Sequence, residues 1–346
     1  MFGLDRSPTR AHYLSRIKRN QETGPMMDED QLAARIKELT GWRHVAKPEI
    51  VYDTTEWMNI HRGQVISLDD RLFLVKGNAR ETRFGIKDQP KYWVFNAVDL
   101  DTGRSKIIKT VFYEDFHVRI GLFKIRCYRS PKKEARVLDV VKDDARFMQG
   151  ETLFDAKNNT IRIIDFIRGQ TILDLVGSCE KKHEQYFHED LPEILWKLKN
   201  SIEAIMYLHQ EGTCHGDIRN DHIIIERETG LYRWIDFDLT QEASDFDIWS
   251  IGNILAYAVG RGIRSFHGVL KEDTFPDEIK NSLKPEDASA FYVYRIMNLK
   301  KLFPYIPPKL ENLLLHFTMK PKAFYNHISQ FVHEYNDMLD SEFPGG

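Results

Sequence analysis

Cysteine is scarce: Cys127, Cys179 and Cys214 are the three in 346 residues. They show neither metal-ligand spacing nor an even-numbered disulfide framework, which favours a reducing compartment. Long apolar runs are missing too. None approaches the ~18 residues that a membrane span requires, so no membrane partner is expected. The stretch 1–21 is polar and Arg-rich without an apolar centre, which argues against a signal peptide and makes the cytoplasm the expected location. An excess of one charge is also absent. The net charge is −3 with both signs interspersed, so no nucleic-acid partner is expected.

What is present is an ordinary globular composition, 42% hydrophobic and 29% charged, on a chain long enough for two lobes. Residues 1–27 read as a polar arm with Arg16, Lys18 and Arg19 clustered. A short helix follows. Leu32, Ile36 and Leu39 recur at helical spacing behind Asp28-Glu29-Asp30, and Gly41 is a stop signal. From about residue 60 to 168 the pattern is mostly β, broken by one helix. Residues 72–75 read as a strand ending at Gly77. Residues 92–100 and 106–112 read as a hairpin around Asp101-Thr102-Gly103.

Strand side chains alternate, so Lys109 shares a face with Ile107 and Val111 and needs an anion beside it. Ser130-Pro131 opens a helix on which Glu134, Leu138 and Val141 share a face. Lys109 and Glu134 are therefore candidate partners. The alternative is two separate side chains that snorkel outward. A strand over 160–167 ends in Arg168-Gly169-Gln170. Helical sequence follows over 171–176 and 191–209, the second with Leu195, Leu198, Ile202, Ile205 and Leu208 in one stripe. A hairpin joins 223–225 to 231–235 through Glu228-Thr229-Gly230. Beyond Asp236 the chain reads as helical almost to its end, over 246–259, 307–316 and 327–339.

Between the long helix and that hairpin lies Cys214-His215-Gly216-Asp217-Ile218-Arg219-Asn220-Asp221-His222. Asp217 stands on this polar loop, and Asp236 follows the hairpin in Trp234-Ile235-Asp236-Phe237-Asp238. Two carboxylates so placed suit phosphoryl transfer, one handling a hydroxyl proton and the other holding a metal on a phosphate. His215 beside Cys214 lacks a third orienting group, so no nucleophile pair is expected there.

The order of these features resembles the protein kinase-like superfamily over roughly residues 65 to 335. The stretches 92–103 and 106–109 are similar to two small-lobe strands, and 163–169 looks like the hinge. His215-Gly216-Asp217 is similar to the catalytic loop and Asp236-Phe237-Asp238 to the metal-binding Asp-Phe-Gly. Asp247-Ile248-Trp249-Ser250-Ile251-Gly252 resembles the start of the central large-lobe helix. The resemblance implies an α+β bilobal fold, with an extension over 1–60, a small β lobe over 61–168 and a large helical lobe over 169–340. It implies an ATP- and Mg²⁺-dependent kinase, with Mn²⁺ as a possible metal, that phosphorylates a hydroxyl of a protein or small molecule. Lys109, held by Glu134, would meet the α/β-phosphates. Ile107 would lie under the adenine, and backbone groups near Phe166, Ile167 and Arg168 would bind it. Asp217 would act on the acceptor hydroxyl and Arg219 on the transferring phosphate. Asp236 would hold the metal, with His222 or Asn220 as a second ligand. His215 would bridge the loop to the Asp236 segment.

Three departures favour an alternative, a pseudokinase that binds nucleotide or a partner without catalysis. His222 stands where the family carries a metal-binding Asn. The stretch from Gly85 to Trp93 is glycine-poor and contains Pro90, which removes a phosphate-facing N–H. The segment between Asp236 and Asp247 is too short for a peptide-docking ledge. Nucleotidyl transfer on the same fold is a third expectation.

Overall fold

The computed structural model describes residues 28–42, 47–83, 86–120, 123–241, 246–321 and 323–345. The polar arm 1–27, Gly85 and residues 242–245 lie outside them. The chain divides into two compact units. The described residues up to Phe112, with Gly150–Phe166, form the first, and Tyr113–Gln149 with the described residues from Ile167 onward form the second.

The first unit is built on a seven-stranded sheet. Its strands in spatial order are Ile50–Val51, Val65–Leu68, Arg71–Arg83, Ile86–Asp99, Ser105–Lys109, Thr160–Asp165 and Gly150–Phe154. All neighbours are antiparallel except the first pair. The apolar run at 72–75 is continuous because both faces are covered. Leu72 and Leu74 pack with Leu32 and Ile36 of the helix Glu29–Thr40, whereas Phe73 and Val75 pack with Phe95, Ile108 and Ile163. The expected end at Gly77 is corrected. The strand continues to Arg83, and Gly77, at φ 136°, sits where the pairing register shifts. Glycine admits that bulge without breaking the ladder. The turn at 101–103 forms as expected, with Asp99 Oδ1 accepting the backbone N–H groups of Asp101 and Thr102.

Opposite this turn, Asp155 ties the strand end Gly150–Phe154 to the chain at Thr54. Its carboxylate is buried and accepts from Thr54 N and Oγ1 (both 2.7 Å), Lys157 N, and Asn159 N and Nδ2. Removing it orphans the two buried donors of Thr54 and three part-buried ones of Lys157 and Asn159. Asp155→Ala is expected to destabilise the protein by about 2–4 kcal/mol, read as a lower urea midpoint with unchanged m-value.

The second unit is mainly helical. The helix Leu191–Gln210 buries the predicted stripe, and Tyr335 of the helix Ile328–Glu342 donates its hydroxyl to the Leu195 carbonyl at 2.8 Å. The helix Phe246–Val259 is buried on nearly every side, as its predominantly apolar sequence requires, with Asp247 and Ser250 among the buried residues. The sheet Gly169–Thr171, Ile223–Glu226, Tyr232–Trp234 carries the predicted hairpin. Trp234 Nε1 donates to the Ser201 carbonyl, which fixes that hairpin on the long helix. A second sheet joins Leu239–Gln241 to the hairpin Glu114–Ile120 and Phe123–Arg129. The expectation of helix throughout after Asp236 is therefore corrected at 239–241. A three-residue strand has no local signature, and its partner lies more than 100 residues earlier in the chain. The stretch 285–301 departs from helix as well, with isolated 3₁₀ turns and single β-bridges.

The molecule is of the expected α+β class, and its curled antiparallel sheet and helices are compatible with a bilobal kinase-like fold. The three cysteines are free. Among the described residues no helix is long and apolar enough to cross a membrane.

One half-buried group of the second unit reports on acidity. His183 lies flat on Phe303, with ring centroids 3.3 Å apart. Its Nε2 meets the Val259 carbonyl at 2.8 Å and its Nδ1 meets the Tyr305 hydroxyl at 2.7 Å. Nε2–H thus donates to the carbonyl, and Nδ1 accepts from the hydroxyl. Burial pushes the imidazole down to about 4. The unfolded chain takes up this proton near pH 6.5 and the native one only near pH 4, so stability is full above 6.5 and declines as pH falls through that window. Chemical denaturation at pH 7 and pH 4.5 is expected to differ by on the order of 2 kcal/mol from this site after solvent screening, with His183→Gln removing that part of the slope.

Candidate active site

The helix Leu191–Gln210 ends where Gly212, at φ 67°, turns the chain into the loop 213–219. The loop is held from below by the first turn of Phe246–Val259. Asp247 Oδ2 accepts the His215 N–H and Oδ1 the Gly216 N–H, both at 2.8 Å, and His209 Nε2 lies 3.0 Å from Oδ2. Asp247 is 2% exposed. Burial raises its pKa, but the His209 bond, the His215 ring and the Gly216 N–H together hold the carboxyl below its ordinary value.

Gly216 is required twice over. Its φ is 83°, and a Cβ there would lie 1.9 Å from the Leu239 carbonyl oxygen and 2.9 Å from Lys133 Nζ. Gln241 donates to the Gly216 carbonyl at 2.7 Å. Lys133, on the helix Pro131–Val140, donates to the carbonyls of His215 (2.6 Å) and Leu239 (2.5 Å). Burial pushes this ammonium down, against several nearby anions.

The structure brings three of the predicted residues together, Asp217, His222 and Asp236. His222 Nδ1 lies 2.6 Å from the Asp217 carbonyl oxygen, so that nitrogen carries the proton. His222 Nε2 lies 3.6 Å from Asp236 Oδ2, and Nδ1 is 3.9 Å from Asp217 Oδ2. The three side chains are each under a tenth exposed as residues. Asp236 occupies left-handed backbone, φ 70°. Asn220 lies half-buried on the same 3₁₀ turn as His222.

Arg219 is engaged by a neighbour. It forms a two-pronged ion pair with Asp221, Nε to Oδ1 at 2.9 Å and Nη2 to Oδ2. Glu134 is fully buried on Pro131–Val140 in the second unit. Lys109 is 6% exposed and ends the strand Ser105–Lys109 in the first unit, opposite Val94 and Arg162. Ile107 lies half-buried on that same strand, and the exposed Phe166 closes the unit. Ile167 and Arg168 begin the second stretch of the second unit. His215 is neutral in its packing. Burial pushes its pKa down to about 3, its Nδ1 accepts the Asp217 N–H at 3.2 Å, and its ring stands edge-on to Phe237.

Sequence reasoning missed Arg129. It reaches Asp217 Oδ2 at 3.2 Å, Glu114 at 3.0 Å and Asp238 by a shorter bond. Burial lowers its pKa, but Asp238, Asp217 and Asp236 outweigh that and keep it charged. No local signal marks this role, because its partners Asp217 and Asp238 lie far along the chain. Lys133 was missed for the same reason. Gly216 between His215 and Asp217 was the visible hint that something crowds the loop.

Among the described residues no group of three or more His, Cys, Asp or Glu side chains forms a self-contained metal site. Asp236 with His222 offers one carboxylate oxygen and one imidazole nitrogen with a fixed tautomer. That donor set fits a divalent ion which also takes oxygens from a bound phosphate, and imidazole suits Mn²⁺ better than Mg²⁺.

No protein-family model matches the chain. It is similar to a probable serine/threonine-protein kinase, fnkE, of Dictyostelium discoideum, 26% identical over 114 residues. The match covers 32% of this chain and spans 8% of the length of that curated relative. The likeness is distant, and it supports a kinase-like family and no finer assignment.

Asp247 is the support that a substitution tests most directly. Asp247→Ala leaves the N–H groups of His215 and Gly216 without their buried acceptor. The expected cost is about 3 kcal/mol, measured by chemical denaturation, with faster amide exchange at 215–217 than in the helix Leu191–Gln210.

Proposed function

We propose that the chain is an ATP- and divalent-metal-dependent phosphotransferase of the protein kinase-like class, acting on a hydroxyl of a protein or small molecule. One observation carries this reading: the Asp217 and Asp236 carboxylates lie within 4 Å of a single buried imidazole, on a loop fixed by Asp247. The kinase-like order of motifs along the chain and the distant kinase relative support it.

In such a transfer the acceptor oxygen forms a bond to the γ-phosphorus as the bond to the ADP oxygen breaks, and the hydroxyl proton moves to Asp217 Oδ. Asp217 aligns the hydroxyl. Asp236 and His222 would hold the metal, which when bound neutralises phosphate charge. Lys109 is the proposed phosphate ligand of the first unit. Arg219 is tied to Asp221, so its action on the transferring phosphate requires that pair to open.

A second reading, nucleotide or partner binding without transfer, is favoured by the ion pairs that occupy Asp217 and Arg219. Labelled ATP separates the two. With Mg²⁺ or Mn²⁺, wild-type protein is expected to transfer label, and Asp217→Asn and Asp236→Asn to lose about 10²–10⁴-fold in rate. Equal labelling of all three proteins overturns the transferase reading. A nucleotide-dependent rise in melting temperature without transfer supports the second.

A further inference from the structure

The transfer chemistry leaves one arrangement unused. Two cations, Arg129 and Lys133, stand four positions apart where the hairpin Glu114–Ile120/Phe123–Arg129 meets the helix Pro131–Val140. Between them they grip each part of the loop system. Lys133 holds the carbonyls of His215 and Leu239. Arg129 holds the carboxylates of Asp217, Asp238 and Glu114. Backbone pairing continues the grip, because Leu239–Gln241 is hydrogen-bonded in register with 127–129, and Ser130 N–H donates to the Asp238 carbonyl at 3.1 Å.

A guanidinium among three carboxylates has a fixed geometry, since its planar donors define where each acceptor must lie. Arg129 touches only Oδ2 of Asp217, and its remaining bonds go to Asp238 and Glu114. Oδ1 of Asp217 stays outside that ion pair. The contact therefore aims the carboxylate and leaves one oxygen for an acceptor. Loops of this kind are elsewhere ordered by a phosphate that pairs with arginine. Here internal carboxylates take the phosphate's place.

We propose that Arg129 is a positioning residue for Asp217, and that with Lys133 it assembles the transfer site without prior phosphorylation of the chain. This rests on the phosphotransferase reading above.

The test uses full-length wild type, Arg129→Gln, Arg129→Ala and Asp238→Asn. ADP formation from ATP with Mn²⁺ and hydrogen exchange at 239–241 are both measured. The expected result for Arg129→Gln is a fall in kcat of about a hundredfold, with the KM for ATP within about threefold of wild type. Guanidinium ion added to Arg129→Ala is expected to restore part of kcat. Phosphatase treatment leaves the wild-type rate unchanged. In Arg129→Gln and in Asp238→Asn, exchange at 239–241 quickens about tenfold while the helix Leu191–Gln210 keeps its protection. Unchanged exchange, a loss confined to KM, or a rate abolished by phosphatase overturns the proposal. If wild type forms no ADP, the phosphotransferase reading fails, and exchange at 239–241 then decides the clamp alone.

Discussion

One buried carboxylate sets the geometry on which the site depends. Asp247 is almost fully enclosed, and a charge in that position must have its oxygens satisfied. It takes the backbone N–H groups of His215 and Gly216 and faces His209. The central helix thereby becomes a gauge for a loop some 30 residues earlier in the chain. Once the chain is fixed at 215 and 216, Asp217 is placed, and its carbonyl receives His222 Nδ1. The imidazole is then oriented toward Asp236. A chain of hydrogen bonds thus runs from a helix N-terminus to His222, whose ring lies within 4 Å of two acids.

The same region is crowded with negative charge. Asp217, Asp236, Asp238 and Glu114 gather around one guanidinium and one imidazole. Acids at this density are tolerated only where cations are fixed among them. Arg129 is such a cation, and Lys133 supplies a second on the carbonyl side of the loop. On the phosphotransferase reading, the surplus of carboxylate suits a metal carried in by a nucleotide, because no complete metal site exists among the described residues. Gly216 follows from the same crowding. Its place has no room for a Cβ beside the Leu239 carbonyl.

Much of the architecture was legible from local pattern. The hairpin at 101–103, the stripe of the long helix, the helix start at Pro131 and the helix Phe246–Val259 are all stated by spacing and turn chemistry, although Ser130 makes no side-chain capping bond. The errors have a common source. Gly77 read as a strand end because glycine is a breaker locally, yet neighbouring strands carried the ladder through a bulge. Residues 239–241 read as the approach to a helix, because three residues cannot announce a partner at 127–129. His222 was identified as the departure from the family pattern, but its tautomer depends on a carbonyl that only folding brings to it.

The sequence alone determined the class of fold and the identities of the acids, because hydrophobic periodicity and the spacing of Asp217, Asp236 and Asp247 are properties of the linear chain. It also determined that His222, not asparagine, stands beside the candidate metal position. The tertiary structure alone decided what each acid touches. Arg129 lies 88 positions before Asp217 and 109 before Asp238, and Lys133 lies 82 before His215. Such contacts have no period and no motif. They arise when two sheets and a helix, each formed for its own local reasons, are packed until every buried charge has a partner.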